Sequence, residues 1–411
     1  MGRGVFMLGW FWLVLDGLLA IACVGIAIFW TRSARSLDHA PRLQPAEFSA
    51  IPSCSIAVVI PAYNEEVNIE PCIRSVLASA LPESVELQLW VVDDESSDRT
   101  FALAAALVST DDRLRVFRVA PRPTDRVWCG KNWACAQAVE AIGDRVDYLL
   151  FVDADVRLAP EAIGAALAEA DRLQTDLFSC APEMVCGCFS EWLVQPIVAS
   201  AIAAGFDFRS LNDRDNPIAF AAGPFMLFRR SSYVAIGGHA AVADDPIEDM
   251  ALGVRIKQQG LYLYFLLGLD LVRVRMYQNF PALWEGWTKN WHLAHERNLY
   301  STLYSAFGLF SVFSMPWLGI IASAIALGVA GPSLIGGVSL AVAIGATVAL
   351  CWMRRVLAER TAQPLRYWWL GWVGGLLIAT IALVSIVKVE TGWGWTWRGR
   401  SLATPAQQPL G

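Results

Sequence analysis

Residues 55–65 read Ser-Ile-Ala-Val-Val-Ile-Pro-Ala-Tyr-Asn-Glu. The first six residues form a continuous apolar run rich in β-branched side chains, which is typical of a strand buried on both faces of a parallel sheet. The polar residues that follow end the strand, and Glu65 and Glu66 place acidic groups where the first turn of a helix would favour them. We expect Asn64 to cap that helix.

The alternation of apolar strand and helix continues downstream of this stretch. Further strands are predicted over residues 87–92, 113–119 and 147–152, with helices after Ser97 or Asp98, over 131–142 and from Pro160. This order predicts an α/β fold built on a doubly wound, mostly parallel sheet.

Polar clusters fall at the predicted carboxyl ends of three of these strands. They are Asn64-Glu65, Asp93-Asp94 and Asp153-Ala-Asp155. Because ligands of doubly wound sheets bind outside the carboxyl ends of the strands, we expect the three clusters to serve one binding site.

Composition indicates that part of the chain lies in lipid. Hydrophobic residues make up 55% of the 411 residues and charged residues 17%, whereas soluble domains usually carry about 25% charge. The net charge of −6 argues against a nucleic-acid partner, which would favour a basic face.

The nine cysteines show no paired zinc spacing and are expected to be free and reduced, as in a cytosolic domain.

Apolar segments predict one N-terminal and about three C-terminal transmembrane helices. Residues 1–30 form an anchor, because the apolar stretch is too long for a usual signal peptide and no small-residue cleavage site follows it. The remaining regions are a linker (31–52), the soluble domain (53–295), the C-terminal helices (296–390) and a tail (391–411). The uncharged run 299–353 fits two helices broken near Gly331-Pro332. Asp16, inside the anchor, is either a functional acid or a carboxylate paired with another helix.

Arginine bias predicts the orientation in the membrane. Arg32 and Arg35 follow the first span, and four arginines lie between the third and fourth spans, at positions 354, 355, 360 and 366. The positive-inside rule therefore predicts a multi-pass protein of the cell membrane with its soluble domain in the cytoplasm. Three spans after that domain would place the basic tail outside, so one C-terminal segment could instead be re-entrant or interfacial.

Asp153 and Asp155 form a candidate metal site. Two carboxylates one residue apart at a strand end can hold Mg²⁺ or Mn²⁺ against a diphosphate, because hard cations prefer oxygen ligands and leave positions for phosphate and water. The alternative is an ordinary turn beside a helix cap.

The pair Asp93-Asp94 and the residue Lys131 are candidates for contacts with a nucleotide. One carboxylate of Asp93-Asp94 could accept from a uracil N–H or a ribose hydroxyl, or the pair could form a turn that caps the next helix. Lys131 could offset diphosphate charge that a metal leaves, or could be a solvated loop cation.

Glu248 and Asp249 begin a predicted helix over 248–259. The helix dipole favours an ionised carboxylate there, which suits a general base that deprotonates a hydroxyl. The alternative is a pair of ordinary N-terminal acids. His239, just upstream, either contacts phosphate or acceptor or is structural.

Together these residues resemble glycosyltransferase family 2, the inverting enzymes with a GT-A fold. The similarity rests on six motifs in the family's order: Val58-Val-Ile-Pro-Ala-Tyr-Asn-Glu65, Val91-Val-Asp-Asp-Glu-Ser-Ser-Asp-Arg-Thr100, Gly130-Lys131 with Trp133-Ala134, Asp153-Ala-Asp155, Gly223-Pro-Phe-Met-Leu227 and Glu248-Asp249. The resemblance implies transfer of a sugar from a nucleotide-diphosphate sugar, with UDP the expected nucleotide.

The resemblance also implies roles for individual residues. Those expected around the nucleoside and donor are Pro61, Ala62, Glu65, Asp93, Asp94, Lys131 and Asp153. Asp155 would bind the metal with Asp153 nearby, and Asp249 would be the catalytic base. The residues expected on the sugar and acceptor side are Gly223, Pro224, Glu248 and Trp287.

The chain departs from the processive family members after the predicted base. They carry Gln-x-x-Arg-Trp, whereas this chain has Gly286-Trp-Thr-Lys-Asn-Trp291, which indicates single transfer. That stretch is similar to bacterial family members that act on lipids, including carotenoid-acid and hopanoid-associated transferases, so a lipid-soluble acceptor is expected. The apolar stretch 188–206 would be either a helix face on the membrane or a buried helix. Alternative functions are transfer to polyprenyl phosphate, a processive polysaccharide synthase, and a non-catalytic membrane scaffold.

Overall fold

The computed structural model describes residues 2–402, with side chains described from residue 7 onward; the last nine residues of the predicted tail lie outside this range. The strands are β1 (Cys54–Ala62), β2 (Val85–Asp93), β3 (Leu114–Arg118), β4 (Tyr148–Val152), β5 (Val156–Leu158), β6 (Leu177–Ala181), β7 (Glu183–Met184), β8 (Phe225–Arg229), β9 (Leu263–Leu267), β10 (Val272–Val274), β11 (Thr396–Trp397) and β12 (Arg400–Ser401). The helices are α1 (Gly2–Asp38), α2 (Ile69–Leu77), α3 (Thr100–Ala106), α4 (Gly130–Ile142), α5 (Ala162–Leu173), α6 (Phe189–Gly205), α7 (Phe208–Asn212), α8 (Arg230–Ala235), α9 (Glu248–Gln258), α10 (Phe280–Asn290), α11 (Leu299–Phe313), α12 (Met315–Ala330), α13 (Leu334–Thr361) and α14 (Gly371–Thr391).

The chain forms two compact units. The sheet unit comprises residues 39–185 and 206–276, and the helical unit comprises residues 1–38, 186–205 and 277 onward. Segments 186–205 and 277–295, which the sequence analysis grouped with the soluble domain, thus belong by their contacts to the helical unit.

Seven strands form the main sheet of the sheet unit, in the order β3-β2-β1-β4-β8-β6-β9. β1 pairs in parallel with β2 and β4, and β2 pairs in parallel with β3, whereas β8 is antiparallel to both of its neighbours. The predicted doubly wound, mostly parallel sheet is confirmed. The order runs outward from β1 in both directions, so the carboxyl ends of β1, β2 and β4 meet at the switch point where such sheets bind ligands.

The stretch that led to the fold prediction is the centre of the core. Residues 56–60 of β1 have no exposed surface. Side chains of α2 share a core cluster with Ile56, Val58 and Ile60, while α4 also contacts β1. Each fully buried Val or Ile side chain contributes about 1.5–3 kcal/mol, so this strand fixes the positions of the loops at its carboxyl end.

Asn64 does not cap α2, and that prediction is wrong. The helix begins five residues later, at Ile69. Asn64 has a left-handed backbone (φ 53°), and its side-chain oxygen accepts from the Ser97 N–H and hydroxyl at 2.9 and 3.2 Å. The N-cap residue of α3 is Arg99, without a side-chain capping bond, and Asp98 lies one residue earlier, where its Oδ1 accepts from the Thr100 N–H at 2.9 Å. The loops after β1 and β2 are therefore joined to each other.

Three helical segments are long and apolar enough to cross a membrane: Met7–Asp38 in α1, Leu334–Thr361, which is α13, and Trp368–Thr391, which contains α14. The pair α11 and α12 also qualifies, but it bends by 55° at the break between the two helices. The predicted break near Gly331-Pro332 is confirmed. The break after Phe313 was missed, although Pro316, which suits only the first turn of a helix, marks it.

Within the helical unit, α1 and α13 run in parallel with their C-terminal ends together. Three contacts along their length establish this: the Ser339 hydroxyl donates to Asp16 at 2.5 Å, the Trp30 and Trp352 rings lie 4.6 Å apart, and Arg360 pairs with Asp38 at 2.6 Å. Asp16 is therefore the helix-paired carboxylate of the two alternatives.

The helix α14 runs antiparallel to α11. The Ser314 hydroxyl, just after α11, donates to the Trp372 carbonyl at 2.8 Å, and the His292 N–H, just before α11, donates to the Ser385 hydroxyl at 2.9 Å. The helix α6 contacts both α1 and α14, and it buries Val194, among other apolar residues. α6 is thus a buried helix, the second of the two alternatives for the stretch 188–206.

Candidate active site

Five predicted site residues lie together in the sheet unit, and we call them the lysine cluster. The Lys131 ammonium lies 2.5 Å from the Asp153 carboxylate and 2.6 Å from the Glu248 carboxylate. The Gly223 N–H donates to Oδ2 of Asp249 at 2.7 Å. One cation thus joins two carboxylates, and a backbone N–H holds the third.

Secondary structure places each of these groups. Lys131 is in the first turn of α4, Asp153 directly follows β4, and Gly223 lies two residues before β8. Glu248 and Asp249 are in the first turn of α9. Because β4 and β8 are neighbours and antiparallel, the end of β4 and the start of β8 lie side by side.

A side chain at position 223 would crowd the lysine cluster. A Cβ atom there would lie 3.0 Å from the Lys131 nitrogen and 3.1 Å from Oδ2 of Asp249. Both distances are shorter than ordinary van der Waals contact. The absence of a side chain therefore lets the backbone N–H reach Asp249.

The charges of the lysine cluster are unbalanced. Burial raises the pKa of Asp249 to about 7, and the adjacent Glu248 carboxylate also raises it, while Lys131 and the Gly223 N–H act in the opposite direction. Burial acts to lower the pKa of Lys131, but Asp153, Glu248 and Asp249 raise it well above its ordinary value. Lys131 thus stays charged, while Asp249 titrates near neutral pH.

Asn132 supports the loop before α9, and the sequence analysis did not identify it. Its buried side-chain amide donates to the carbonyls of Val242, Ala243 and Asp245 at 2.6, 3.2 and 2.9 Å. Asn132 thereby fixes the approach to Glu248 and Asp249. Its position next to Lys131 in the sequence was the only available signal.

A second set of charged residues lies at the carboxyl end of β2, and we call it the arginine cluster. Both oxygens of Asp94 accept from the Arg122 guanidinium, at 2.6 and 2.8 Å. Oδ2 of Asp93 lies 3.5 Å from Arg118. Burial raises the pKa of Asp93. Among the residues that the structure describes, Oδ1 of Asp93 is buried and has no hydrogen-bond partner, so this oxygen can accept from a ligand.

The end of β1 lies beside the arginine cluster. In the parallel register Pro61 pairs with Val92 and Ala62 with Asp93, and the Asp94 N–H donates to the Ala62 carbonyl at 2.8 Å. Pro61, Ala62, Asp93 and Asp94 are thus brought together. Glu65 lies farther along the same loop, where its carboxylate accepts from Asn68 at 2.9 Å.

The comparisons with known proteins agree with this arrangement. Residues 57–237 match the family model described as Glycosyl transferase family 2. This part of the chain, less than half of its length, is therefore similar to family 2 glycosyltransferases. The resemblance found in the sequence is thereby confirmed.

Two curated relatives are the 4,4'-diaponeurosporenoate glycosyltransferases of Staphylococcus aureus strains USA300 and N315. Each is 33% identical over 241 residues, a match that covers 57% of this chain and 60% of the relative. The chain thus matches less than two thirds of the length of these relatives.

A solved structure shows the same fold over nearly the whole chain. The mannosyltransferase PcManGT from Pyrobaculum calidifontis, in complex with GDP-Man and Mn²⁺, has a TM-score of 0.56 at 17% identity, covering 92% of this chain and 98% of that one. This similarity supports the GT-A fold.

The acidic pair Asp153-Ala-Asp155 directly follows β4, as predicted. Among the described residues, no group of three or more His, Cys, Asp or Glu side chains could hold a metal ion by itself. Binding of a hard divalent cation by Asp153 and Asp155, with further ligands from substrate phosphates and water, stays a prediction.

Two other predicted site residues, His239 and Trp287, are held by contacts of their own. His239 is buried against Phe151, and its Nδ1 lies 2.8 Å from the Tyr233 hydroxyl; burial lowers its pKa to about 3. It therefore belongs to the core, the structural alternative. Trp287 lies in the helical unit, where its indole N–H donates to Gln195 at 2.9 Å; its predicted role toward the acceptor stays a prediction.

Proposed function

We propose that this chain is a membrane-bound glycosyltransferase that moves one sugar from a nucleotide-diphosphate sugar to a lipid-soluble acceptor, with inversion. The observation that carries this proposal is the lysine cluster, where a carboxylate that titrates near neutral pH lies beside a charged lysine and an acidic strand end. The family match and the S. aureus relatives support the same reaction class.

Asp249 acts as the general base. Its raised pKa matches the working pH, which is the best condition for proton transfer, and the Gly223 N–H holds one of its oxygens in place. The acceptor oxygen forms a bond to the anomeric carbon as the bond from that carbon to the diphosphate breaks. The acceptor proton goes to Asp249, and the electron pair leaves with the nucleotide diphosphate.

Lys131 and Asp93 position the donor. Lys131 carries positive charge next to Asp153, where a diphosphate would need it. The buried Oδ1 of Asp93 has a geometry suited to accept from the N–H of a base, and uracil offers such a donor. We therefore propose a UDP-hexose donor, with Pro61, Ala62, Glu65 and Asp94 around the nucleoside.

A divalent cation, Mg²⁺ or Mn²⁺, would supply positive charge against the departing diphosphate. The family resemblance assigns its first ligand to Asp155. The ion pair of Asp153 with Lys131 agrees with a secondary position for Asp153. Pro224 and Glu248 line the sugar and acceptor side in this proposal.

The acceptor is a lipid with a hydroxyl group, because only a protonated nucleophile requires the base that Asp249 provides. A lipid carboxylic acid is the second candidate. It is favoured by the name of the S. aureus relatives, which act on diaponeurosporenoate. A carboxylate is already ionised and would depend much less on Asp249.

We also propose that the soluble domain and the tail both lie in the cytoplasm. The parallel packing of α1 and α13 places Arg32 and Arg35 on the same side as Arg354, Arg355 and Arg360, and the positive-inside rule makes that side cytoplasmic. Phe313, at the end of α11, contacts Phe29 near the C-terminal, basic end of α1. The helix α14 begins near the end of α11 and runs back along it. In this proposal α1, α12 and α13 cross the membrane, whereas α11 and α14 lie together along its cytoplasmic surface.

A fluorescent protein fused after Gly411 tests the topology. We expect fluorescence, because green fluorescent protein matures in the cytoplasm. A dark fusion that an extracellular protease degrades in intact cells would show instead that α14 crosses.

The reaction is tested by comparing membrane lipids by mass spectrometry. Membranes that contain wild type or Asp249→Asn receive UDP-hexoses and Mn²⁺, and Asp112→Asn serves as the control because Asp112 is exposed and precedes β3, at the opposite edge of the sheet. We expect a hexose-shifted lipid in wild type and control only. Equal product in all three membranes would overturn the role of Asp249. No product together with no metal-dependent binding of UDP would favour a scaffold.

A further inference from the structure

One arginine of the helical unit, Arg354, is buried, whereas the adjacent Arg355 is exposed. Arg354, near the end of α13, is 8% exposed. Among the residues that the structure describes, neither a hydrogen bond nor an ion pair reaches its guanidinium. A buried cation normally has an anionic partner, because its desolvation is otherwise uncompensated.

The guanidinium of Arg354 faces the start of α14. Its Nη1 lies 3.9 Å from the position that a Cβ atom on Gly371 would occupy, and no other atom lies within 4 Å of that position. Gly371 is the first residue of a 21-residue helix. The Gly371 N–H donates to the Trp368 carbonyl in the turn that leads into α14, and the N-terminal end of the helix carries partial positive charge. Two separate sources of positive charge therefore meet at one point.

Aromatic side chains set the depth of this point in the membrane. Trp352, two residues before Arg354, is 55% exposed and contacts Trp30; Trp368 and Trp369, just before Gly371, are 40% and 49% exposed. Exposed tryptophans of membrane proteins concentrate at the level of the lipid head groups. Arg354 therefore lies where lipid phosphates are found.

We propose that Arg354 and the N-terminus of α14 form a binding site for the phosphate of an anionic phospholipid. Basic pockets between helices on the cytoplasmic side of a membrane are suited to anionic head groups. The phosphate oxygens would accept from the guanidinium, and the positive end of the α14 dipole would add to the attraction. The proposal uses no residue of the lysine cluster, and its test does not depend on glycosyl transfer.

The experiment measures lipid binding to the full-length protein. Purified protein is placed in nanodiscs of phosphatidylcholine with increasing phosphatidylglycerol, and bound lipid is counted by native mass spectrometry after release. Arg354→Gln is compared with Arg355→Gln, its matched control, because the Arg355 side chain is 73% exposed and pairs with Glu359. We expect Arg354→Gln to weaken retention of phosphatidylglycerol by about tenfold or more, as for loss of a charge-assisted hydrogen bond, and the control to match wild type.

A second variant supplies the anion from the protein itself. The open space beside Gly371 admits a side chain, so Gly371→Asp should place a carboxylate next to Arg354. We expect this variant to retain no phosphatidylglycerol at the site and to unfold at the same temperature with or without that lipid. Inorganic phosphate alone should not replace the lipid in wild type. Equal lipid retention by Arg354→Gln and wild type, or Arg354-dependent binding of inorganic phosphate as tight as that of the lipid, would overturn the proposal.

Discussion

The lysine cluster and the arginine cluster lie in the same unit, yet their charges differ. In the arginine cluster two arginines face two carboxylates, Asp93 and Asp94. In the lysine cluster one ammonium faces the carboxylates of Asp153, Glu248 and Asp249. In the arginine cluster the arginine beside Asp93 lowers the pKa that burial raises, and paired charges of this kind suit binding. Unbalanced charges in a buried site bring one group to titrate near pH 7, which suits proton transfer. The comparison predicts that changes in the first cluster alter KM and changes in the second alter kcat.

The largest effect is expected for Asp249→Asn. Loss of a general base lowers kcat by about 10²–10⁴-fold, measured as hexose transfer to lipid at saturating donor. Folding raises the pKa of Asp249 from 3.8 to about 7, so the unfolded chain ionises this carboxyl more readily and the wild type loses stability as pH rises through that window. We therefore expect the melting temperature of Asp249→Asn at pH 8 to equal or exceed that of wild type. An inactive variant that also melts well below the Asp112→Asn control would point to a structural role.

Lys131→Met removes the cation of the lysine cluster. We expect kcat to fall by about a hundredfold, as for other losses of preorganised charge stabilisation. The wild-type kcat/KM should rise with pH through about 7, because only ionised Asp249 accepts a proton. Since Lys131 lowers the pKa of Asp249, the pH profile of the variant should shift to higher pH. A lower kcat with an unshifted profile would separate Lys131 from the titration of Asp249.

Gly223→Ala tests how closely the lysine cluster is packed. The added Cβ would lie 3.0 Å from Lys131 and 3.1 Å from Asp249, so one of these groups must move. Displacements of about 1 Å can cost roughly a hundredfold in rate; the shift needed here is a few tenths of an ångström, so we expect a loss of kcat of about tenfold with KM for the donor little changed. Gly143→Ala is not a suitable control because its φ is positive, whereas Gly205→Ala is suitable because open space surrounds it.

The smallest effect is expected in the arginine cluster. Asp93→Asn should raise KM for the UDP-hexose by about tenfold, the effect of losing a charge-assisted hydrogen bond, and leave kcat within about twofold. A donor methylated at N3 of uracil provides the matched test. Wild type should bind it less tightly than the natural donor, and Asp93→Asn should bind both alike. Equal discrimination by both proteins would remove Asp93 from base recognition.

The buried strand and the site at the strand ends were predictable from the sequence, because the first depends on local pattern and ligands of such sheets bind at the carboxyl ends of the strands. The continuous run 56–60 specified a buried parallel strand, and the parallel order brought the ends of β2 and β4 to one edge. The cap at Asn64 failed because its partner, Ser97, is contributed by another loop. The bend after Phe313 was missed because the uncharged run continues through it, although Pro316 marks the start of α12. The pairing of Asp94 with Arg122 and the support from Asn132 depend on tertiary contacts that no local pattern encodes.

The contact between Asp16 and Ser339 has a consequence for biosynthesis. The two residues are 323 positions apart, and ribosomes add ~5–20 residues per second, so about 16 to 65 seconds separate their synthesis. During that interval α1 is already in the bilayer with an unshielded carboxyl group. A chaperone or the translocon itself would have to shelter that helix, which makes early quality control of the nascent chain sensitive to residue 16 long before the catalytic domain is tested.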